Sequence, residues 1–159
     1  MWAAEDQPKQ QLQQHQAARQ YLHGRGLDGE ACVSWRLGYA PEGWQHLQDA
    51  FPQDLDGIKQ LGLIRQSESG RDFCLLRDRV IFPIRDFRGR VIAFGGRVLD
   101  DSKPKYLNSP ESPVFHKSEE LYGFYESRQA KQTLNRIMVV EGYLDVIAVH
   151  QAGLPFAAA

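Results

Sequence analysis

The sequence predicts an α+β fold: a basic, mixed α/β part built on an antiparallel hairpin, followed by a strand–helix unit of the parallel α/β type. Three observations carry this. Residues 77–84 alternate, with Arg77, Arg79, Ile81 and Pro83 on one face and Val80, Phe82 and Ile84 on the other, and Asp86-Phe-Arg-Gly89 supplies hairpin-turn chemistry before residues 90–99 return. Ile137-Met-Val-Val-Glu141 runs four apolar residues without alternation into a carboxylate, the pattern of a strand buried on both faces. The first sixty residues lack strand periodicity and read as a series of short helices.

Taken in order, residues 7–23 carry a thin apolar stripe of Leu12, Ala17, Tyr21 and Leu22 and predict one helix closed by Gly24. Asp28 is a candidate N-cap for a helix over 29–35. Leu37-Gly-Tyr-Ala-Pro41 breaks the pattern, Gly43-Trp44 opens a short helix ending near Phe51-Pro52, and 54–61 is a further helix with Leu55, Ile58 and Leu61 on one face. These helices carry few cations, so a packing layer is favoured over a helix-turn-helix DNA reader. Leu63-Ile-Arg65 is a short strand and Ser67-Glu-Ser-Gly70 a turn. Gly95-Gly96 in the return strand marks a bulge or a close backbone approach. Residues 104–110 predict an irregular loop, 113–117 a brief extended piece and 121–133 a helix linked through 132–135 to the apolar run. Gly142 permits a turn, 144–151 is helical with Gly153 as its stop, and the small residues at 157–159 predict a second buried strand.

The 159 residues suffice for one ordinary domain or two small subdomains, divided here between 1–134 and 135–159. A hydrophobic content of 42% with 25% charged residues excludes a disordered chain, and a net charge of -1 gives no global basic character. Charge is uneven, however: residues 77–105 hold eight cations and four acids, a local +4. Cys32 and Cys74 form no C-x-x-C pair and the five histidines are scattered, so zinc-site spacing is lacking and reduced thiols in a cytosolic protein are expected. Secretion and membrane spanning are not expected, because neither a leader pattern nor an apolar run near 20 residues occurs. The abrupt polar start and the isolated small-residue strand at the close predict that the chain is a piece of a longer protein.

Two places carry candidate chemistry. Open α/β sheets bind ligands at the carboxyl ends of their strands, which puts Glu141 where a catalytic acid or a carboxylate beside a metal would sit. An ordinary strand-end Glu, with Asp145 opening a helix against its dipole, is the alternative. The arginine-bearing hairpin is the second place. Such a ribbon can be a solvated face, yet Gly95-Gly96 beside Arg97 allows a phosphate to approach the backbone, and Lys105-Tyr106 joins a cation to a stacking ring.

Several ordered stretches together resemble the catalytic core of bacterial replicative DNA primase of the DnaG type. They are Arg79-Val-Ile-Phe-Pro-Ile-Arg-Asp86, Gly89-Arg-Val-Ile-Ala-Phe-Gly-Gly-Arg97, Pro104-Lys-Tyr-Leu-Asn-Ser-Pro-Glu111, Phe115-His-Lys117, Leu121-Tyr-Gly123 and Val140-Glu-Gly-Tyr-Leu-Asp145. Weaker matches at Tyr21-Leu-His-Gly-Arg-Gly-Leu27 and Gly38-Tyr-Ala-Pro41 extend the resemblance over roughly residues 15–159. Ala93 and Leu144 are mild apolar departures. The resemblance implies that residue 135 onward begins a TOPRIM domain, a parallel α/β fold, and that the parent protein makes short RNA primers from NTPs on single-stranded DNA with Mg²⁺ or Mn²⁺. By position it makes Glu141 the TOPRIM glutamate, catalytic and metal-associated, with Asp145 the aspartate of the same motif. It places Arg77, Arg79, Arg97, Lys105, Tyr106, Asn108 and Lys117, and Arg25 with them, on a surface facing nucleic acid or nucleotide. The family's zinc-binding domain, its helicase-interacting domain and its later metal-binding aspartates have no counterpart in these residues, so this chain alone is expected to be inactive. A bacterial cytoplasmic location at the nucleoid and replisome, a replicative helicase partner and no membrane partner follow from the same resemblance. A non-catalytic binding remnant and another TOPRIM enzyme, a nuclease or topoisomerase, are the other readings.

Overall fold

The computed structural model describes residues 2–130 and 133–159. The predicted N-terminal helix is two: α1 (Trp2–Gln14) and α2 (Gln16–Gly24). His15 divides them. Its backbone is extended and its Nδ1 accepts a hydrogen bond from the Ala18 amide at 3.1 Å, so it caps α2. Helix α3 (Gly29–Ser34) starts where Asp28 predicts, with the Asp28 carboxylate accepting from the Ala31 amide at 2.8 Å. Strand β1 (Gly38–Ala40) occupies the stretch expected to be a break. Helices α4 (His46–Ala50) and α5 (Leu55–Gln60) follow, then the small hairpin of β2 (Ile64–Gln66) and β3 (Asp72–Cys74) around the predicted turn.

Strands β4 (Arg79–Arg85) and β5 (Val91–Val98) form the predicted antiparallel hairpin. The Asp86 carboxylate organises the turn, accepting from the Arg88 and Arg90 amides at 2.9 and 3.0 Å, while Gly89 takes φ +83°. Strand β6 (Tyr106–Asn108) lies inside the expected irregular loop and pairs with β5. The four-stranded antiparallel sheet is ordered β1-β4-β5-β6. Its irregularity falls between Ile84 and Arg85, where the pairing skips Ile92, and not at Gly95-Gly96, which pair regularly with Phe82 and Ile81. Residues 113–117 form no strand; one isolated bridge joins Ser112 and Phe115.

Both faces of the sheet are covered. Tyr39, Val80, Phe82, Ile84 and Ala93 pack on one side with Leu12, Ala18 and Leu22 of the first two helices and with Trp35, Phe115 and Tyr122. Ala40, Ile81, Val91 and Phe94 pack on the other with Leu47, Ile58, Leu63, Cys74 and Leu76. The two faces set by the alternation are therefore both buried, and one of them includes Arg79.

Helix α6 (Phe124–Ala130) is shorter than predicted; residues 131 and 132 lie outside the described residues. Strand β7 (Met138–Val139), helix α7 (Tyr143–Gln151) and strand β8 (Ala157–Ala158) form the expected parallel strand–helix–strand unit. Its helix buries Val146 and Ile147, and its second strand Ala157, in the same core as Val80 and Phe82. The expectation of a buried first strand is corrected here. Val139 is 74% exposed, because β7 has β8 as its one strand neighbour and no layer of the described chain covers its outer side. His150 closes the unit, its Nε2 lying 3.2 Å from Ser127 Oγ and 3.1 Å from the Ala157 carbonyl. No helix among the described residues is long and apolar enough to cross a membrane.

The Asp86 turn gives a pH prediction. Burial opposes ionisation of Asp86, but hydrogen bonds from the Arg90 side chain and from the Arg90 and Arg88 amides outweigh it and hold the carboxyl below its ordinary range. The unfolded chain therefore binds more protons as the medium acidifies. The stabilisation is complete above the ordinary Asp value near 3.9 and is lost as pH falls from there through the folded value. Urea unfolding between pH 6 and 2 should show Asp86→Asn less stable than the parent at pH 6, with the gap closing in acid. A gap that stays constant with pH removes this role.

Candidate nucleic-acid interface

Cross-strand pairs put their side chains on the same face of a sheet, so the register decides which predicted residues meet. Gly95 pairs with both Phe82 and Asn108, and Arg97 with both Val80 and Tyr106. Arg97, Tyr106 and Asn108 therefore share the face packed against α2 and α7. Arg79 lies on the opposite face, its side chain beside Gly96 and Leu76. Arg77 is on that second side too, stacked 3.8 Å over the exposed Trp44 ring and near Phe73, with its guanidinium donating to the Cys74 carbonyl.

The first face forms a layered cluster. The Arg97 guanidinium sits 4.8 Å from the Tyr21 ring centre and 5.6 Å from that of Tyr106. Arg25, one helical turn after Tyr21, also lies over the Tyr21 ring, 5.3 Å from its centre. Arg97 is 7% exposed and donates to the Val98 carbonyl at 2.7 Å, but its Nε is buried without a partner and no carboxylate of the described residues pairs with it. Burial pushes the Tyr21 phenol up, against the pull of Arg97 and Arg25. Tyr106 is 42% exposed, with its ring beside the buried Arg97 cation.

Tyr143 joins this cluster to the strand-end carboxylate. Its hydroxyl donates to Asn108 Oδ1 at 3.0 Å, and its ring lies 5.4 Å from Phe82, 4.6 Å from Tyr122 and 6.2 Å from Tyr106. The ring fills the space above Gly95: a Cβ there would sit 2.3 Å from Tyr143 Cε2. The close approach that Gly95 allows is thus made by a side chain of this chain. Two residues before Tyr143, Glu141 is exposed just past the C-terminal end of β7, where the sequence puts it, and Asp145 is exposed in the first turn of α7. As a pair of accessible carboxylates they fit part of a site for a hard divalent cation. Among the described residues no three His, Cys, Asp or Glu groups come together for a metal.

The remaining predicted residues are peripheral. Lys105 is half exposed in the loop before β6 and lies 3.4 Å from Asp101, a pair too exposed to bind the lysine firmly. Arg79 donates from the far face to the carbonyls of Pro104 and Lys105 at 2.9 and 3.2 Å. Lys117 is exposed on a separate loop, with its amide bonded to Glu111 at 2.9 Å. Tyr21 and Tyr143 received no role from the sequence. Tyr21 falls in the apolar stripe, although its spacing of four from Arg25 is a usable signal; Tyr143 lies between the two carboxylates with no sequence signal of its own.

This geometry defines a class: an α+β module with a cation–tyrosine face on an antiparallel sheet and a carboxylate-bearing strand end beside it. The comparisons make it particular. Residues 7–128 match the family described as DNA primase catalytic core, N-terminal domain, and the chain belongs to that family. The DNA primase of Pseudomonas aeruginosa is 54% identical, over 96% of this chain and 24% of its own length. The chain thus spans about a quarter of the length of that relative. The crystal structure of a DNA primase domain from Pseudomonas aeruginosa superposes with a TM-score of 0.93 at 53% identity, covering 99% of this chain and 51% of that one. A DnaG primase catalytic domain bound to ssDNA matches with a TM-score of 0.92 at 45% identity, over 98% of this chain and 52% of that one.

Gly95→Ala tests the packing that assembles the cluster. The new methyl cannot coexist with the Tyr143 ring where it stands, so stability should fall by about 1–3 kcal/mol, the usual range for overpacking. Denaturant melts of parent and variant measure this; equal midpoints would mean that the ring does not rest on Gly95.

Proposed function

We propose that this chain is the template- and nucleotide-holding part of a DNA primase that polymerises NTPs into short RNA primers on single-stranded DNA. The observation that carries the reading is the Tyr21–Arg97–Tyr106 stack. A buried guanidinium without a carboxylate is electrostatically incomplete, and an anion arriving beside the exposed Tyr106 completes it. Lys105 and Arg25 add exposed charge at the rim, Lys117 adds more from its own loop, and Tyr106 offers a surface on which a base stacks. On this reading β7, α7 and β8 open a TOPRIM domain. Glu141, with Asp145 beside it, supplies carboxylate to Mg²⁺ or Mn²⁺, whose chemistry is charge neutralisation on phosphate oxygens. The replicative helicase and the growing RNA primer are the remaining partners this assignment implies, with the bacterial replisome as its place of work.

Two carboxylates do not make a complete two-metal site. The 159 residues alone are therefore expected to bind template without extending a primer. Incubation with template, NTPs and Mg²⁺ should yield no RNA, and template-dependent product from pure protein would refute this division of labour.

The binding face is tested by anisotropy of labelled oligo-dT over a salt series. Each phosphate contact on a single strand contributes about 0.7 to the slope of log K against log salt, so Lys105→Ala should flatten it by roughly that amount. Tyr106→Ala should weaken binding by about 1–3 kcal/mol with the slope nearly unchanged. If Lys105→Ala leaves affinity and slope intact in a folded protein, the loop does not hold the strand.

A further inference from the structure

We propose that Tyr143 is a positioning residue that orients the Asn108 side-chain amide toward the ligand. The inference rests on the reading of the Arg97–Tyr106 face as a phosphate-binding surface. A phenol donates its proton best to the amide oxygen, so the 3.0 Å contact to Oδ1 fixes which end of Asn108 faces inward. The other end is then the Nδ2 pair of N–H donors. Among the described residues Nδ2 has no hydrogen-bond partner, and it is not one of the buried unpartnered atoms, so it meets solvent. Asn108 is two residues from Tyr106 on the same face of β6 and shares that face with Arg97. Two N–H donors there add to the positive end of the cluster; the flipped amide would present an oxygen and repel the same phosphate.

Tyr143 is suited to this because its own position is fixed. The ring has Gly95 beneath it and Phe82 and Tyr122 beside it, and burial pushes its hydroxyl up so that it stays a donor. It is also the first residue of α7, two residues after Glu141. One hydroxyl therefore sets the donor on β6 from the same backbone that carries the strand-end carboxylate, without itself touching ligand.

Tyr143→Phe keeps the ring on Gly95 and removes the donor. Oligo-dT affinity is measured for the parent, Tyr143→Phe, Asn108→Ala and the double variant, each checked for an unchanged melting profile at the assay temperature. Tyr143→Phe should weaken binding about threefold to tenfold, the range of one hydrogen bond, and should cost nothing further in the Asn108→Ala background. Equal losses in both backgrounds, or no loss from either single change, overturn the proposal. A readout independent of DNA is the nuclear Overhauser contact between the Asn108 Nδ2 protons and the ring at position 143. It should be weak in the parent and grow in Tyr143→Phe as the amide flips; an unchanged contact overturns the proposal even if the parent binds no dT. A parent that binds no dT while the contact grows as expected overturns the phosphate-binding reading instead, so the two failures remain distinct.

Discussion

Burial of the β4–β5 pair on both faces constrains everything built around it. All seven residues of β4 and all eight of β5 are buried, although three of them are arginines. Two separate apolar clusters result, one with the N-terminal helices and α7, the other with the small helices and the β2–β3 hairpin. A sheet of this kind cannot slip by one residue: a shift would exchange the partners of Phe82 and Ile81 and send each into a cavity shaped for the other. Register is therefore over-determined, and the site inherits that precision.

Each buried arginine is accommodated differently. Arg85 pairs with Glu126 at 2.7 Å, both largely withdrawn from water, and so ties the far end of β4 to α6. Such a pair repays its desolvation only with good geometry, and its chief consequence is to fix where α6 lies. Arg79 has carbonyl oxygens in place of a carboxylate, and burial pulls its pKa down from the usual value. Arg97 has one carbonyl and two tyrosine rings. Ring quadrupoles stabilise a cation by about 0.5–2 kcal/mol, which leaves the Arg97 charge without a counter-charge beside the exposed Tyr106.

The sequence made the hairpin, its turn, the Asp28 cap, the β7–α7–β8 unit and the position of Glu141 legible, because each depends on local chemistry: a turn residue, a capping carboxylate, an apolar run with a polar end. What it hid depends on pairing at a distance. Gly38-Tyr-Ala40 and Tyr106-Leu-Asn108 are three-residue strands hemmed by prolines, too short for periodicity, and become strands because β4 and β5 offer edges to them. His15 broke a helix through a ring-nitrogen cap, which is outside the usual set of capping side chains. The alternation marks two faces but does not show that the face bearing Arg79 lies against a second core. The basic stretch was visible as charge, but its division between two faces follows from the register and could not be read from composition.

That division does not separate the two faces mechanically. Arg79 points away from Arg97, yet its guanidinium grips the carbonyls of Pro104 and Lys105, the backbone that delivers Lys105 and Tyr106 to the other side. Leu107 pairs with Gly96, whose missing side chain leaves room for the Arg79 stem to pass beneath β5. The paired glycines thus work on the two faces separately: Gly95 admits Tyr143 from above, and Gly96 admits Arg79 from below. A bulkier residue at either position would displace one support of β6. The cation–tyrosine face is therefore held by a loop braced from behind and a strand packed from in front, and its geometry depends on the thinness of the sheet at these two positions.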